Sequence, residues 1–92
     1  MNIGHALKLA RSAKKLSLLE LAKRAELSQS YLSMLEAGKR DPTLPTIEKI
    51  AGALGVPTPI LLFLAADKGE LTGLDEETLR RLSAAVMDVM RA

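Results

Sequence analysis

An all-helical fold is what this 92-residue chain predicts, and three observations carry the prediction. Leu and Ala, both strong helix formers, supply 18 and 13 residues. The β-branched residues favoured in strands are few, with three Val, four Ile and five Thr. Apolar residues also recur at three- and four-residue spacing along most of the chain. The only aromatics are Tyr31 and Phe63, so the core must be aliphatic. The length holds at most one ordinary domain and leaves no room for a separate sensing or catalytic one.

The first helix is expected from Ile3 to Lys15, because Ile3, Ala6, Leu7 and Ala10 share one face. Ser17 followed by Glu20 is a capping-box pattern, so a second helix should run from Leu18 to Ala25 and bury Leu18, Leu21, Ala22 and Ala25. Ser28 is a good N-cap for a third helix, Gln29 to Ala37, and Gly38 should stop it by taking a left-handed conformation. On this helix Leu32 and Leu35 form the apolar side. Ser30, Ser33, Met34 and Ala37 project the other way, with Gln29 at the leading end.

Thr43 can cap a fourth helix that tolerates Pro45 in its first turn, turns Ile47, Ile50, Ala51 and Leu54 inward and ends at Gly55. Thr58 and Pro59 offer a cap and a first-position proline for a fifth. Ile60 to Leu64 is apolar at all five positions, so one packing surface cannot bury it. This helix should be sandwiched between its own domain and something else. Residues 67–74, with Gly69 and Gly73, read as a linker. Asp75 should cap a last helix, with Glu76 and Glu77 at the positive end of its dipole and a stripe of Leu79, Leu82, Val86 and Val89. Ile60, Leu61, Phe63, Leu64 and that stripe are the candidate residues for a dimer contact or for packing within the chain. The dimer is slightly favoured, because the fifth helix has apolar surface to spare.

Composition excludes several functions. The chain has no Cys, which rules out disulfides, thiolate metal sites and a Cys nucleophile and fits a cytoplasmic location. Its single His, His5, cannot make a cluster, so neither a metal site nor a cofactor is expected. The most apolar stretch, residues 56–66, is short and holds two prolines, so no membrane span is expected. Charge placement is more informative than the net +2. Residues 1–49 carry nine Lys/Arg against five Asp/Glu, whereas residues 50–92 carry four against six. An anionic partner would dock on the first half.

Two short helices joined by a tight turn, the second exposing small polar side chains and followed by a basic loop, suit a DNA major groove. That groove, about 12 Å wide, admits one α-helix and offers donors and acceptors to Gln and Ser. Phosphates on either side can be met by backbone amides near Ser17 and by Lys39 and Arg40.

In these residues the sequence resembles the phage-repressor and Cro-like helix-turn-helix domain, also called the xenobiotic-response-element type. The matching stretch runs from Leu16 to Val56, with the first helix and Arg11 extending it to Ile3. Its most specific parts are Leu21-Ala22, the S-x-S-Y-L-S-x-L-E-x-G-K-R-x-P run from Ser28 to Pro42, and the Ala53-Leu54-Gly55-Val56 run. The resemblance implies a five-helix lambda-repressor-like DNA-binding domain over residues 1–66; residues 67–92, the linker and the C-terminal amphipathic helix read from its spacing, lie outside it. It implies a non-enzymatic transcriptional repressor, binding double-stranded DNA as a homodimer on a near-palindromic operator. Carried over residue by residue, Gln29, Ser30, Ser33 and Met34 face bases. Tyr31, Lys39, Arg40 and Thr43 are placed at the DNA backbone, which Ser17 also meets at the start of the second helix. Arg11 and Glu36 match a structural pair between the first and third helices.

Two departures stand out. Leu18 occupies the position where the family most often has a phosphate-touching Gln, so only the amides remain there. Glu26 replaces the usual turn glycine, and positive φ at a non-glycine costs about 1 kcal/mol; the turn is either rebuilt or strained. Two rival functions stay open. One is an antitoxin that represses its own operon and engages a protein partner through the acidic C-terminal segment. The other is a protein-only interaction module.

Overall fold

The structure is a computed structural model and describes residues 1–91, the Lys68 side chain apart; Ala92, part of the expected C-terminal segment, lies outside the described residues. Among the described residues six α-helices follow one another, α1 (Ile3–Ala13), α2 (Leu18–Ala25), α3 (Gln29–Glu36), α4 (Leu44–Leu54), α5 (Thr58–Ala65) and α6 (Glu76–Arg91), with a 3-10 turn at Lys68–Leu71. No strand occurs among the described residues. No single helix among them is long and apolar enough to cross a membrane.

Side-chain oxygens open most of the helices. Asn2 accepts from the His5 amide at 3.1 Å for α1, Ser17 from Glu20 at 3.0 Å for α2 and Ser28 from Tyr31 at 3.0 Å for α3. Thr43 accepts from the Thr46 amide at 3.3 Å for α4, and Asp75 from Thr78 at 2.7 Å for α6. The fifth helix differs from expectation. Its N-cap is Pro57, and Thr58 lies inside the helix without a side-chain cap. The Pro57 carbonyl accepts the amides of Ile60 and Leu61 at 3.0 and 3.2 Å, so the helical bonding starts one residue earlier. The two amides that a Thr58 hydroxyl would cap, those of Ile60 and Leu61, are taken by that carbonyl.

Two of these caps titrate. Hydrogen bonds from Thr78 hold the Asp75 carboxyl below the usual Asp range, and a hydrogen bond from the Ser17 amide does the same for Glu20. A depressed folded-state pKa stabilises above the unfolded pKa and is lost as pH falls through the folded one. Acidification below about pH 4 is therefore expected to loosen the first turns of α2 and α6 before those of α3 and α4, whose Ser28 and Thr43 caps do not titrate. Amide hydrogen exchange measures this directly; uniform protection across all four starts would contradict it.

The ends of α1 to α4 share one device. Lys15, Glu26, Gly38 and Gly55 take positive φ of 58°, 56°, 74° and 71°. In each case the next amide folds back five residues: Leu16 to Arg11, Leu27 to Ala22, Lys39 to Met34 and Val56 to Ala51, at 2.9–3.1 Å. This is the Schellman closure, in which an apolar residue just past the left-handed one packs against the helix end. Leu16 is buried and Leu27 packs on the core, which holds Lys15 and Glu26 in a conformation their side chains disfavour. Lys39 is exposed and offers no such anchor, and there the left-handed residue is glycine. As a result α1 stops at Ala13 rather than Lys15, and α3 at Glu36 with Ala37 as its C-cap. The α2–α3 turn is made with a left-handed residue, and Glu26 is strained in it. Glu26→Gly is thus expected to raise stability by about 0.5–1 kcal/mol, less than the strain itself because glycine is freer when unfolded. Urea unfolding checks the sign, and a loss of stability would count against the strain.

Leu7, Leu21, Leu32, Leu35, Ile50 and Leu61 are the largest wholly buried side chains, and around them α1 packs on α3 and α5, while α2 packs on α3 and α4. Leu61 and Ala65 carry α5 into this core, with Ile60, Leu62 and Leu64 packed half-buried around them. The other cover of α5 comes from the same chain. Helix α6 lies against α1 and α5, burying Val86 and packing Val89 and Met90 on the core. The Lys14 ammonium donates to the Val89 carbonyl at 2.7 Å and fastens the end of α6 to the end of α1. The stripe expected on α6 is thus covered in part by its own chain. Its C-terminal half is used within the chain, while Leu79, Leu82 and Phe63 stay half-buried. The expected linker is also more ordered than its glycines suggested, because Lys68–Leu71 coils and Glu70 accepts from the Asp67 amide at 2.7 Å.

Candidate nucleic-acid interface

Helices α2 and α3 are joined by three residues, 26–28, of which Glu26 reverses the chain and Ser28 starts the next helix. Leu32 and Leu35 are 0% exposed and clamp α3 from behind. Side chains on the other side of the same short helix must then point outward, and Gln29, Ser30 and Ser33 are exposed there. Met34 is half-buried, so it belongs partly to that face and partly to the protein. Behind the helix, Arg11 and Glu36 form a two-pronged ion pair: Arg11 Nε donates to Glu36 Oε2 at 2.8 Å, and a terminal nitrogen to Oε1 at 3.0 Å. The other terminal nitrogen donates to the Leu16 carbonyl at 2.9 Å. The hydrogen bond to Glu36 raises the Arg11 pKa, and the guanidinium has only 14% of its side chain exposed against 6% for Glu36.

The flanks of α3 are polar. Ser17 uses one lone pair for the Glu20 amide, and its own amide donates to Glu20 Oε1 at 3.0 Å. The amides of Leu18 and Leu19 stand at the first helical positions, where a helix has no carbonyl to offer them. Past α3, Lys39 and Arg40 are exposed, and the Arg40 guanidinium lies 5.7 Å from the centre of the half-buried Tyr31 ring. Stacking of this kind holds a flexible cation in place without neutralising it. The Thr43 hydroxyl serves α4, lying 3.0 Å from the Thr46 hydroxyl. Gln29, Ser30, Ser33, Lys39 and Arg40 are therefore available to a ligand, whereas Ser17, Tyr31 and Thr43 are partly engaged by the protein itself.

An open hollow of about 230 Å³ lies where α1, α2 and α3 meet, lined by Lys8, Arg11, Leu18, Ser33, Glu36 and Ala37. Lys8 gave no signal in the sequence, because a lysine on the polar side of an amphipathic helix resembles any solvated charge. No group of three His, Cys, Asp or Glu residues arranged to hold a metal ion occurs among the described residues.

Comparison with known proteins covers most of the chain. A helix-turn-helix family model matches residues 7–61. The immunity repressor protein of Bacillus phage phi105 is 34% identical over 91 residues, which is 99% of this chain and 59% of that protein. The chain thus spans less than two thirds of that relative's length. The transcriptional regulator ClgR of Mycobacterium tuberculosis is 30% identical over 82 residues, 89% of this chain and 70% of ClgR. The crystal structure of the clp gene regulator ClgR from Corynebacterium glutamicum superposes with a TM-score of 0.70 at 31% identity, covering 91% of this chain and 89% of that one. With its six helices, the α2–α3 turn and these likenesses, the chain belongs to the Cro/C1-type helix-turn-helix family.

Proposed function

We propose that the chain is a sequence-specific, double-stranded DNA-binding transcriptional repressor acting as a homodimer on a near-palindromic operator, without catalysis. In this reading residues 1–66 form the DNA-binding domain, and residues 67–92 stabilise it and border the dimer contact. The observation that carries the reading is the two-sidedness of α3. Its leucines are wholly buried while Gln29, Ser30 and Ser33 are exposed, uncharged and small enough to enter a groove. Gln29, Ser30, Ser33 and Met34 take the base edges. Lys39, the Tyr31-stacked Arg40, Ser17 and Thr43 take phosphates on either side. In a dimer the two α3 helices sit about 34 Å apart, one turn of the duplex. Half-buried Phe63, Leu79 and Leu82 supply apolar surface for the second copy.

Base and phosphate contacts separate by experiment. Gln29→Ala is expected to weaken the preferred duplex by about 1–3 kcal/mol and relax selectivity at one base pair, while Lys39→Ala weakens all sequences alike and lowers the salt dependence. Fluorescence anisotropy on selected and scrambled duplexes at two salt concentrations reads both. Equal losses on both duplexes for Gln29→Ala would remove its base-reading role.

A further inference from the structure

We infer that the outward face of α6 pairs antiparallel with the same face of a second copy, and so joins one repressor dimer to its neighbour on DNA. The role at DNA rests on the reading above; the pairing geometry does not. Val86 is buried and Leu79, Leu82 and Val89 are half-buried, which settles the side of α6 turned to the protein. At about 100° per residue, Glu77, Arg80, Ala84, Asp88 and Arg91 fall on the opposite side within a strip about 80° wide, and all five are exposed. The dimer contact proposed above uses the inner side, at Phe63, Leu79 and Leu82, so the strip is separate from it. Helix α6 packs on α1 and α5, and DNA lying against α3 leaves the strip open.

Charge decides the occupant. Glu77 and Arg91 lie seven residues before and after Ala84, and Arg80 and Asp88 lie four before and after it. A twofold axis through Ala84 therefore sets each Glu77 against the second copy's Arg91 and each Arg80 against its Asp88, with Met87 over the stem of its Arg81. Ala84 at the centre lets the two helices approach closely. A parallel pairing would set Glu77 on Glu77 and each Arg on its counterpart, so the pattern selects the antiparallel one. Within the chain these charges are loosely engaged. Arg81 reaches Glu77 at 2.9 Å and Arg91 reaches Asp88 at 3.9 Å, all four side chains being at least 69% exposed. Exposed pairs of this kind hold their partners weakly. Arg80 makes no ion pair among the described residues. The strip is about 24 Å long and 10 Å across, small beside the roughly 800 Å² that each partner gives to a standard interface. Pairing is thus weak between free molecules and takes effect where DNA holds two dimers at high local concentration.

Sedimentation of the native protein at low salt and rising concentration is expected to show weak association beyond the dimer. Glu77→Arg and Arg91→Glu should each weaken it by about tenfold, because each turns opposite charges across the axis into like ones. A mixture of these two variants should recover it, since the two reversed charges then face each other. Positions 77 and 91 lie about 21 Å apart along one helix, so no contact inside a chain can produce that recovery. Ala84→Glu sets like charges together at the axis and should abolish association, which covers the case of a reversed charge at a helix end unsettling α6. On a fragment carrying two copies of a selected duplex, at whole- and half-turn spacings, the native protein should fill the second site about tenfold more tightly than a lone one, and Ala84→Glu should fill both alike. A native protein that never associates overturns the pairing and leaves the face to a different protein. A mixture no better than its separate variants overturns the antiparallel register. Independent filling of the two sites at every spacing overturns the role at DNA. Failure to bind even a lone site would overturn the DNA-binding reading, while sedimentation still decides the pairing.

Discussion

Arg11→Ala is expected to lower the free energy of unfolding by about 2–3 kcal/mol, toward the lower end of what breaking a buried ion pair costs, because Arg11 keeps some solvent contact. The loss comes mainly from what is left behind. The Glu36 side chain is 6% exposed and takes both its charged hydrogen bonds from Arg11, so the substitution strands a carboxylate away from water. It also frees the Leu16 carbonyl, which the same guanidinium holds at the strained end of α1. Arg11→Lys should recover little, since a single ammonium cannot match the two-pronged geometry. The double variant Arg11→Met with Glu36→Leu should recover most of the loss, because it removes the buried charge together with its partner. Urea denaturation of the four proteins decides. A loss below about 0.5 kcal/mol for Arg11→Ala would place the pair among surface charges with no structural weight.

Gly4→Ala has the second large effect, and two physical terms oppose one another in it. Helix propensity alone favours Ala over Gly by up to about 1 kcal/mol. Space forbids it. A Cβ at Gly4 would collide with the Leu35 carbonyl oxygen and lie 2.8 Å from the Glu36 carbonyl oxygen, both main-chain atoms at the end of α3. Backbone cannot swing aside as a flexible side chain can, so α1 must withdraw from α3 or its first turn must unwind. Overpacking of this kind costs about 1–3 kcal/mol and outweighs the propensity gain. Thermal unfolding should show a lowered midpoint, with added exchange at the first turn of α1. A variant more stable than the native protein would show that α1 and α3 do not approach so closely.

The two substitutions act on one joint, the seat of α3's end on α1. That seat fixes how far the exposed residues of α3 protrude, so the same joint links stability to the proposed reading of DNA.

What the sequence disclosed follows from the range of the forces involved. Helix starts were legible because Ser17, Ser28, Thr43 and Asp75 act within three residues of themselves. The stops at Gly38 and Gly55 were legible because glycine declares a left-handed residue. Lys15 declared nothing: its conformation is imposed by Leu16 turning into the core, a tertiary demand that propensity does not contain. Gly4 likewise reads as an ordinary helical residue until α3 lies across it. The stripe on α6 announced that it would be covered but not by what, since the same spacing serves a neighbouring helix or a second copy. The outward side chains of α3 were legible from helical periodicity once Leu32 and Leu35 were taken as the anchored side. The hollow beside them was not, because Lys8, Leu18 and Ala37 come from three elements and meet only in the folded chain.

The absence of cysteine permits a direct measurement of where α3 goes, because any introduced thiol is unique. A photoactivatable crosslinker would be attached to Ser33→Cys, on the exposed face of α3, and in a second protein to Met87→Cys, on the exposed side of α6. With a selected duplex, the Ser33→Cys probe is predicted to crosslink to base atoms of the major groove and the Met87→Cys probe to leave DNA unmodified. Crosslinking from position 87 and none from position 33, with both proteins bound to the duplex, would contradict the placement of α3 in the groove.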